Sequence, residues 1–495
     1  MRPFFSFGFC VLAALALVGG SSATSRTAAL GPPSFTFGAT EDRQLGDADG
    51  GAAMYDQMRS YGLGEIRMSA WYDPTRPATI PQGAALARAI PPAVARGMRV
   101  VLALIPERPD GVTSDPNGVQ NFASFAALVA RTFPQVTDFI VGNEPNLGRF
   151  WAPTFNTDGS IAAAASYEAT LAASYDALKA VNPNIDVIGF ALAERGDDRP
   201  GSARNTISPV RFIKAVGDAY RASGRTAPLA DNVGLHPYPN VNTDPPDKGF
   251  AWPNVGVPNL ARGEQAFWDA FHGTGQPTFE EGAVSLQSVH SGQFVRWILD
   301  ESGWQTDTDG VPGYTGTETV PTVDEATQAT YIAAMTSSLM CDPHVAALHV
   351  FMWEDESDRE RFQTGVVEAD GTVKPAAAAI KAAVAEGCTG PTVEWSRSTL
   401  VDGARVDWHS RAGYFLFVHA DEDASFTVTA RPKRRYAKGL TTIAVTGSVD
   451  AYHSHGVRFP GIRGADGSKY MFSVTFAAAS DPVRTMTLGR PTPRG

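Results

Sequence analysis

The sequence predicts a parallel (β/α)8 barrel followed by a small all-β, sandwich-like C-terminal domain, and three observations carry that reading. Across residues 33–388, short β-rich runs alternate with longer helical stretches. The long connections rich in Gly, Pro, Asn and aromatics follow the fourth, sixth and seventh runs, at 146–160, 239–259 and 305–320, whereas connections from helix to next strand are short. After Gly387-Cys388-Thr389-Gly390-Pro391 the helical pattern stops, and residues 392–495 hold only alternating runs between turn residues.

At the N-terminus, Met1-Arg2, an apolar stretch from Phe4 to Val18 and small residues up to Ala23 have the three parts of a secretory signal. Cleavage after Ala23, removing 1–23, and a secreted, extracellular protein are the expectation. That stretch is shorter than the ~20 residues needed to span a bilayer, so no stable membrane anchor is expected after cleavage. The eight candidate strands are 34–39, 65–70, 99–105, 138–142, 186–191, 232–236, 295–300 and 347–352. Between them, helical spacing is clearest at 122–132, where Phe125, Leu128 and Val129 share a face, at 166–181, and at 324–340 with Thr322 as candidate cap. In the last domain the alternating runs are 404–408, 413–419, 425–430, 441–446 and 470–477. Its aromatics, Trp395, Trp408, Tyr414, Tyr436, Tyr452 and Tyr470, suit either a core or a polysaccharide-binding face.

The 495 residues are 43% hydrophobic and 19% charged, an ordinary globular balance. A net charge of −11 argues against a nucleic-acid partner, which needs a positive surface. The basic run at 431–438 reads as a solvated turn between strands. Cys341 and Cys388, which remain once Cys10 is lost with the signal, flank the last strand and helix of the barrel; a disulfide and two buried thiols are both open.

Chemistry concentrates at two strand ends. Phe139-Ile140-Val141-Gly142-Asn143-Glu144-Pro145-Asn146 is an apolar run stopping at an Asn-Glu pair, and Trp297-Ile298-Leu299-Asp300-Glu301-Ser302-Gly303-Trp304 repeats that design. In the barrel register Glu144 ends the fourth strand and Glu301 the seventh, across the mouth from each other. Two carboxyl groups so placed can act as proton donor and nucleophile on a glycosidic bond. His236-Pro237-Tyr238 ends the sixth strand, Trp353 the eighth, and Arg67 lies on the second.

At these residues the barrel resembles the glycoside hydrolases of clan A, particularly families five and thirty-nine. The resemblance implies a retaining O-glycosyl hydrolase with Glu144 as acid/base and Glu301 as nucleophile. It implies that Arg67 supports the nucleophile, that Asn143 binds the sugar 2-hydroxyl, that Tyr238 hydrogen-bonds the nucleophile with His236 beside it, and that Trp353 floors the sugar subsite. Trp304 and Trp71 lie near the mouth, where each either meets sugar or packs under a loop. Burial and the charge of Glu301 are expected to raise the pKa of Glu144. The resemblance covers about Phe35 to Ala385 and not the β-domain.

No Gly-x-Ser-x-Gly elbow, His-Glu-x-x-His helix, phosphate loop or dinucleotide fingerprint is present, and neither a metal nor a cofactor is expected. The expected partner is a carbohydrate substrate; sugar, anomeric preference and oligomeric state are not legible. A reading from another class is a non-catalytic carbohydrate-binding or cell-wall protein on the same scaffold.

Overall fold

The computed structural model describes residues 35–282 and 293–393 and, towards the C-terminus, 405–409, 413–419, 424–449, 454–459, 462, 468–478, 484–487 and 492–494. Residues 1–23, expected to be a signal, and Trp395 and Tyr452 lie outside the described residues.

Strands β1 (Thr36–Thr40), β2 (Glu65–Tyr72), β3 (Arg99–Pro106), β4 (Asp138–Val141), β5 (Asp186–Ala193), β6 (Asn232–His236), β7 (Trp297–Leu299) and β8 (Val345–Phe351) pair in sequence order. All the pairings are parallel, and β8 closes on β1 from Thr36↔Ala347 to Thr40↔Phe351. Helices α1 (Ala52–Ser60), α2 (Gly83–Ala95), α3 (Gly118–Thr132), α4 (Ala162–Val181), α5 (Pro209–Ser223), α6 (Leu260–Phe271), α7 (Glu325–Leu339) and α8 (Pro375–Glu386) each follow one strand. This is the predicted (β/α)8 barrel.

Strand alternation sorts its side chains into two cores. Val101, Ala103 and Ile105 of β3 meet Ile140, Ile188, Ile298 and Ala347 inside the barrel. Leu102 and Leu104, with opposite parity, join Phe122, Phe125 and Val129 of α3 in the outer layer. The floor of the barrel is ionic: His349 Nε2 lies 3.1 Å from Glu65, and Arg99 bridges Glu65 at 2.6 Å and Asp138 at 3.2 Å.

One local expectation is corrected. Asp324, not Thr322, caps α7, its carboxylate accepting from the backbone N–H of Thr327 at 2.6 Å. Pro91 and Pro92 sit inside α2, where a proline pair would ordinarily end a helix; packing of Leu86, Ala89, Ile90 and Ala93 into the core holds the segment helical.

Cys341 and Cys388 are joined, tying the segment after α7 to the segment after α8 across 47 positions. Closing a loop of that length in the unfolded chain is worth about 3–4 kcal/mol. Cys388→Ala is therefore expected to lower the urea midpoint of unfolding, and reductant should lower it for the wild type but not for the variant.

The C-terminal strands form two four-stranded sheets. One runs β13 (Ser454–Arg458), β10 (Gly413–His419), β9 (Arg405–His409), β16 (Thr492–Arg494); the other runs β12 (Ile443–Val449), β11 (Ala424–Pro432), β14 (Tyr470–Ala478), β15 (Arg484–Thr487). In the second sheet Phe426 and Val428 of β11 and Phe472, Val474 and Phe476 of β14 form one buried face, covered by Phe459 and Ile462 from the segment after β13. Tyr470 belongs to that core, and the basic run ends β11 and forms a short 3-10 turn, Arg434–Tyr436, with Arg434 and Arg435 exposed.

Candidate active site

The C-terminal ends of the barrel strands open on a cavity of about 1290 Å³, larger than the roughly 300–1,000 Å³ of a drug-sized pocket. Beyond Val141 the chain turns sharply, with Gly142 at φ 84° and Glu144 at φ 41°. A positive φ at a glutamate is strained and persists only where neighbours over-determine it. Here the Glu144 N–H donates to Ala191 O at 2.9 Å. The Asn146 side chain accepts from Ala193 N at 2.9 Å and donates to Ala193 O at 3.1 Å and Ile207 O at 2.9 Å.

Ala191 can accept because β5 bulges: its register with β6 shifts between Gly189 and Leu192, and Phe190 and Ala191 have φ of 72° and 40°. Tyr167 of α4 spans β4 and the bulge, accepting from Phe190 N at 2.6 Å and donating to Val141 O at 2.9 Å. Gly234 on β6 makes room for it, since a Cβ there would stand 2.7 Å from Ala191 Cα.

Arg67, rooted on β2 and 2% exposed, organises the opposite side. Its guanidinium reaches Glu301 Oε1 at 2.6 Å, Asn143 Oδ1 at 2.7 Å and Asp300 Oδ2 at 3.1 Å. The Tyr238 hydroxyl donates to the other Glu301 oxygen at 3.1 Å. His236, fully buried, lies between Glu144 Oε1 at 3.0 Å and Asp300 Oδ2 at 3.1 Å. Glu144 Oε2 accepts from Arg149 at 2.9 Å, whose side chain is 65% exposed.

Burial alone would discharge His236, but the charges of Glu301 and Asp300 and its hydrogen bonds to Asp300 and Glu144 hold its pKa well above the usual value. As imidazolium it donates from both nitrogens. Burial also pushes Asp300 up, and the charges of His236 and Arg67 outweigh it, leaving its carboxyl below the ordinary range. Glu144 behaves likewise: burial raises it, and His236 together with Arg149 brings it below the usual carboxylate value. The expectation of a raised Glu144 is thereby corrected. His236, expected at the site but not as a cation, and Arg149, not singled out from the sequence, together outweigh desolvation.

Arg67, Asn143, Glu144, His236, Tyr238 and Glu301 thus converge, and all but His236 line the cavity. Trp304 and Trp353 do not reach it; both are 1% exposed. Because β8 stops at Phe351, inward alternation ends there, and Trp353 turns outward to donate from Nε1 to Gln57 of α1 at 3.0 Å. Trp304 donates to Asp244 O at 2.8 Å and packs on Tyr331 of α7. The aromatics of the cavity are Trp71, Phe150, Tyr238, Phe351 and Phe362. The loops after β5 and β8 contribute Glu194, Arg195 and Glu354 to its wall, whereas the loop at 305–320 contributes no lining residue.

Asp300, Arg149 and Glu194 were not singled out from the sequence. Period two would have found Asp300, which shares the inward parity of Ile298 in the barrel core. Two groups of described residues bring together three ligand atoms within 4.8 Å: Glu144, His236 and Glu301, and, away from the cavity, Glu264, Asp342 and His344. In the first, Arg67 and His236 already neutralise the carboxylates, so a cation would have to displace them.

No protein-family model matches the chain, and no curated protein matches its sequence. Among solved structures it is similar to a family 39 glycoside hydrolase from the gut symbiont Bacteroides cellulosilyticus WH2, with TM-score 0.48, 15% identity and coverage of 86% of this chain and 80% of that one. It is also similar to a glucosidase from Croceicoccus marinus, with TM-score 0.47, 13% identity and coverage of 87% and 94%. A GH5_18 protein from Streptomyces cattleya in complex with Manb1-4GlcNAc matches with TM-score 0.45, 16% identity and coverage of 72% and 82%. Against the beta-glucuronidase 2 of Bacteroides uniformis, with TM-score 0.43 and 12% identity, 94% of this chain matches 46% of that one. The barrel is defined by its own strand pairing, and any chemistry assigned to the site rests on its side-chain geometry.

Proposed function

We propose that this protein is a secreted glycoside hydrolase that cleaves O-glycosidic bonds of a poly- or oligosaccharide, or of a glycoconjugate, with retention by double displacement. The observation that carries the reading is a carboxylate oxygen of Glu144 within 4.8 Å of one of Glu301, at the wall of a cavity able to hold several sugar units. Retaining pairs stand about 5–5.5 Å apart, whereas inverting pairs leave roughly 6.5–9.5 Å for a water.

Glu301, oriented by Arg67 and Tyr238, attacks the anomeric carbon as the bond to the leaving oxygen breaks and that oxygen takes a proton from Glu144. In the resting site the proton resides on His236, 3.0 Å from Glu144 Oε1. A bound sugar excludes water and favours the neutral imidazole–carboxylic acid pair over the charged one, which puts that proton on Glu144. In the second step Glu144 accepts a proton from water as the water oxygen attacks the anomeric carbon and the ester to Glu301 breaks. Asn143, held by Arg67, faces the sugar beside the acid.

The test is trapping with 2-deoxy-2-fluoro glycosides carrying good leaving groups, across a panel of sugars. The expected result is one covalent glycosyl adduct on the peptide containing Glu301. Turnover with inverted product configuration would overturn retention, and no turnover of any glycoside would leave the non-catalytic carbohydrate-binding reading in its place.

Arg149→Ala gives a second check. Removing that cation raises the pKa of Glu144 and of the proton it shares with His236, so the pair stays protonated to higher pH and the alkaline limb of kcat/KM moves up. Because Arg149 is mostly exposed and therefore screened, the expected shift is roughly a few tenths of a pH unit, shrinking further in high salt.

A further inference from the structure

We propose that Glu194 is a specificity-determining residue that hydrogen-bonds the leaving-group portion of the substrate, selecting a hydroxyl-bearing sugar there over an apolar aglycone. This rests on the reading of Glu144 and Glu301 given above. Glu301 attacks from the β7 side, so the departing oxygen lies at Glu144, and whatever follows that oxygen rests on the wall built by the loops after β4 and β5. Leu147, Arg149, Phe150, Glu194 and Arg195 form that wall.

Glu194 is fixed there. The preceding residue, Ala193, is clamped at both its N–H and its C=O by Asn146, and Glu194 O accepts from Val255 N at 2.9 Å. Its side chain is only 7% exposed, yet among the described residues no other residue hydrogen-bonds its carboxyl. The nearest cation, Arg195 Nε, is 3.2 Å from Oε1, while Arg195 Nη1 donates to Asn240 O at 2.5 Å and Oδ1 at 3.1 Å. A buried carboxyl lining a cavity with one half-exposed cation beside it keeps hydrogen-bonding capacity that a ligand can satisfy.

The protonation state fits that role. Burial pushes the Glu194 carboxyl up to about 8; Arg195 lowers it, the charge of Glu144 raises it further, and His236 lowers it slightly. Near neutral pH the group therefore keeps its proton and offers one donor and one acceptor, the pairing a sugar hydroxyl makes. A nitrophenyl leaving group has no matching hydroxyl.

The experiment compares wild type, Glu194→Ala and Glu194→Gln on two substrates with the same glycone: a 4-nitrophenyl glycoside and the corresponding disaccharide. Glu194→Ala is expected to raise KM for the disaccharide about tenfold, the loss of one ligand hydrogen bond, and to leave kcat/KM for the nitrophenyl glycoside within about threefold. Glu194→Gln, neutral at every pH, should hold KM for the disaccharide within about threefold of wild type at pH 6. Above pH 8 the wild-type KM should rise and that of Glu194→Gln should not. A merely structural role would not produce this divergence. Equal losses on both substrates, no loss on either, or parallel KM profiles would overturn the inference while leaving the hydrolase reading intact. A wild type that hydrolyses neither would overturn both.

Discussion

Glu301→Ala is expected to lower kcat on an activated aryl glycoside by on the order of 10⁴-fold or more, because the covalent intermediate can no longer form. The protein should still fold. Wild type places Glu144, Asp300 and Glu301 against Arg67 and protonated His236. Removing Glu301 leaves Glu144 and Asp300 matched with those two cations, and Arg67 keeps Asp300 and Asn143 as partners. The thermal midpoint should therefore stay within a few degrees, which separates lost chemistry from lost structure. Azide, small enough to occupy the vacated space, should restore aryl release and give a glycosyl azide of inverted configuration. A variant retaining more than about a tenth of wild-type turnover would remove Glu301 from the nucleophile's role.

Arg67→Met should damage both properties. The guanidinium is buried, and its loss strands Asp300 and Glu301 beside each other with one fewer cation, a change of about 3–5 kcal/mol in stability when one partner of a buried pair is removed. Asp300 gives the sign of the pH dependence. Burial raises its pKa, but His236 and Arg67 hold it below the unfolded value, so its contribution is present above about pH 4 and is lost as pH falls through the folded pKa. The deficit of Arg67→Met in urea unfolding should accordingly be widest near neutral pH and should narrow towards pH 3. A constant deficit would mean that Arg67 acts by packing. Turnover should fall by about 10²–10³-fold, since Glu301 loses its main orienting hydrogen bond.

The barrel was legible because period-two apolar runs and helical spacing alternate without interruption, and because both glutamates follow such runs directly. The same runs put Arg67 on the second strand and His236 and Tyr238 at the exit of the sixth, while the roles expected of them came from the resemblance to clan A. What escaped depended on where strands stop. β5 extends through its bulge to Ala193, two residues past the end at 191 expected from the sequence, so Glu194 directly follows a strand. β8 stops at Phe351, which sends Trp353 outward although its type and position suggested a sugar platform. Arg149 and the lowered pKa of Glu144 depend on contacts between a loop, β4 and β6 that no periodicity encodes.

The bulge at Phe190–Ala191 carries a consequence for how this protein can change by descent. The acid's backbone is anchored to Ala191 O, the bulge is braced by Tyr167, and Gly234 gives it space. None of Phe190, Ala191, Tyr167 and Gly234 lines the cavity. A lineage acquiring a new substrate could rewrite the loops after β4, β5 and β8 while these four positions stayed constant. A scan of every position for activity would flag them as though they were catalytic, and variation among relatives should be lowest there and highest a few residues away.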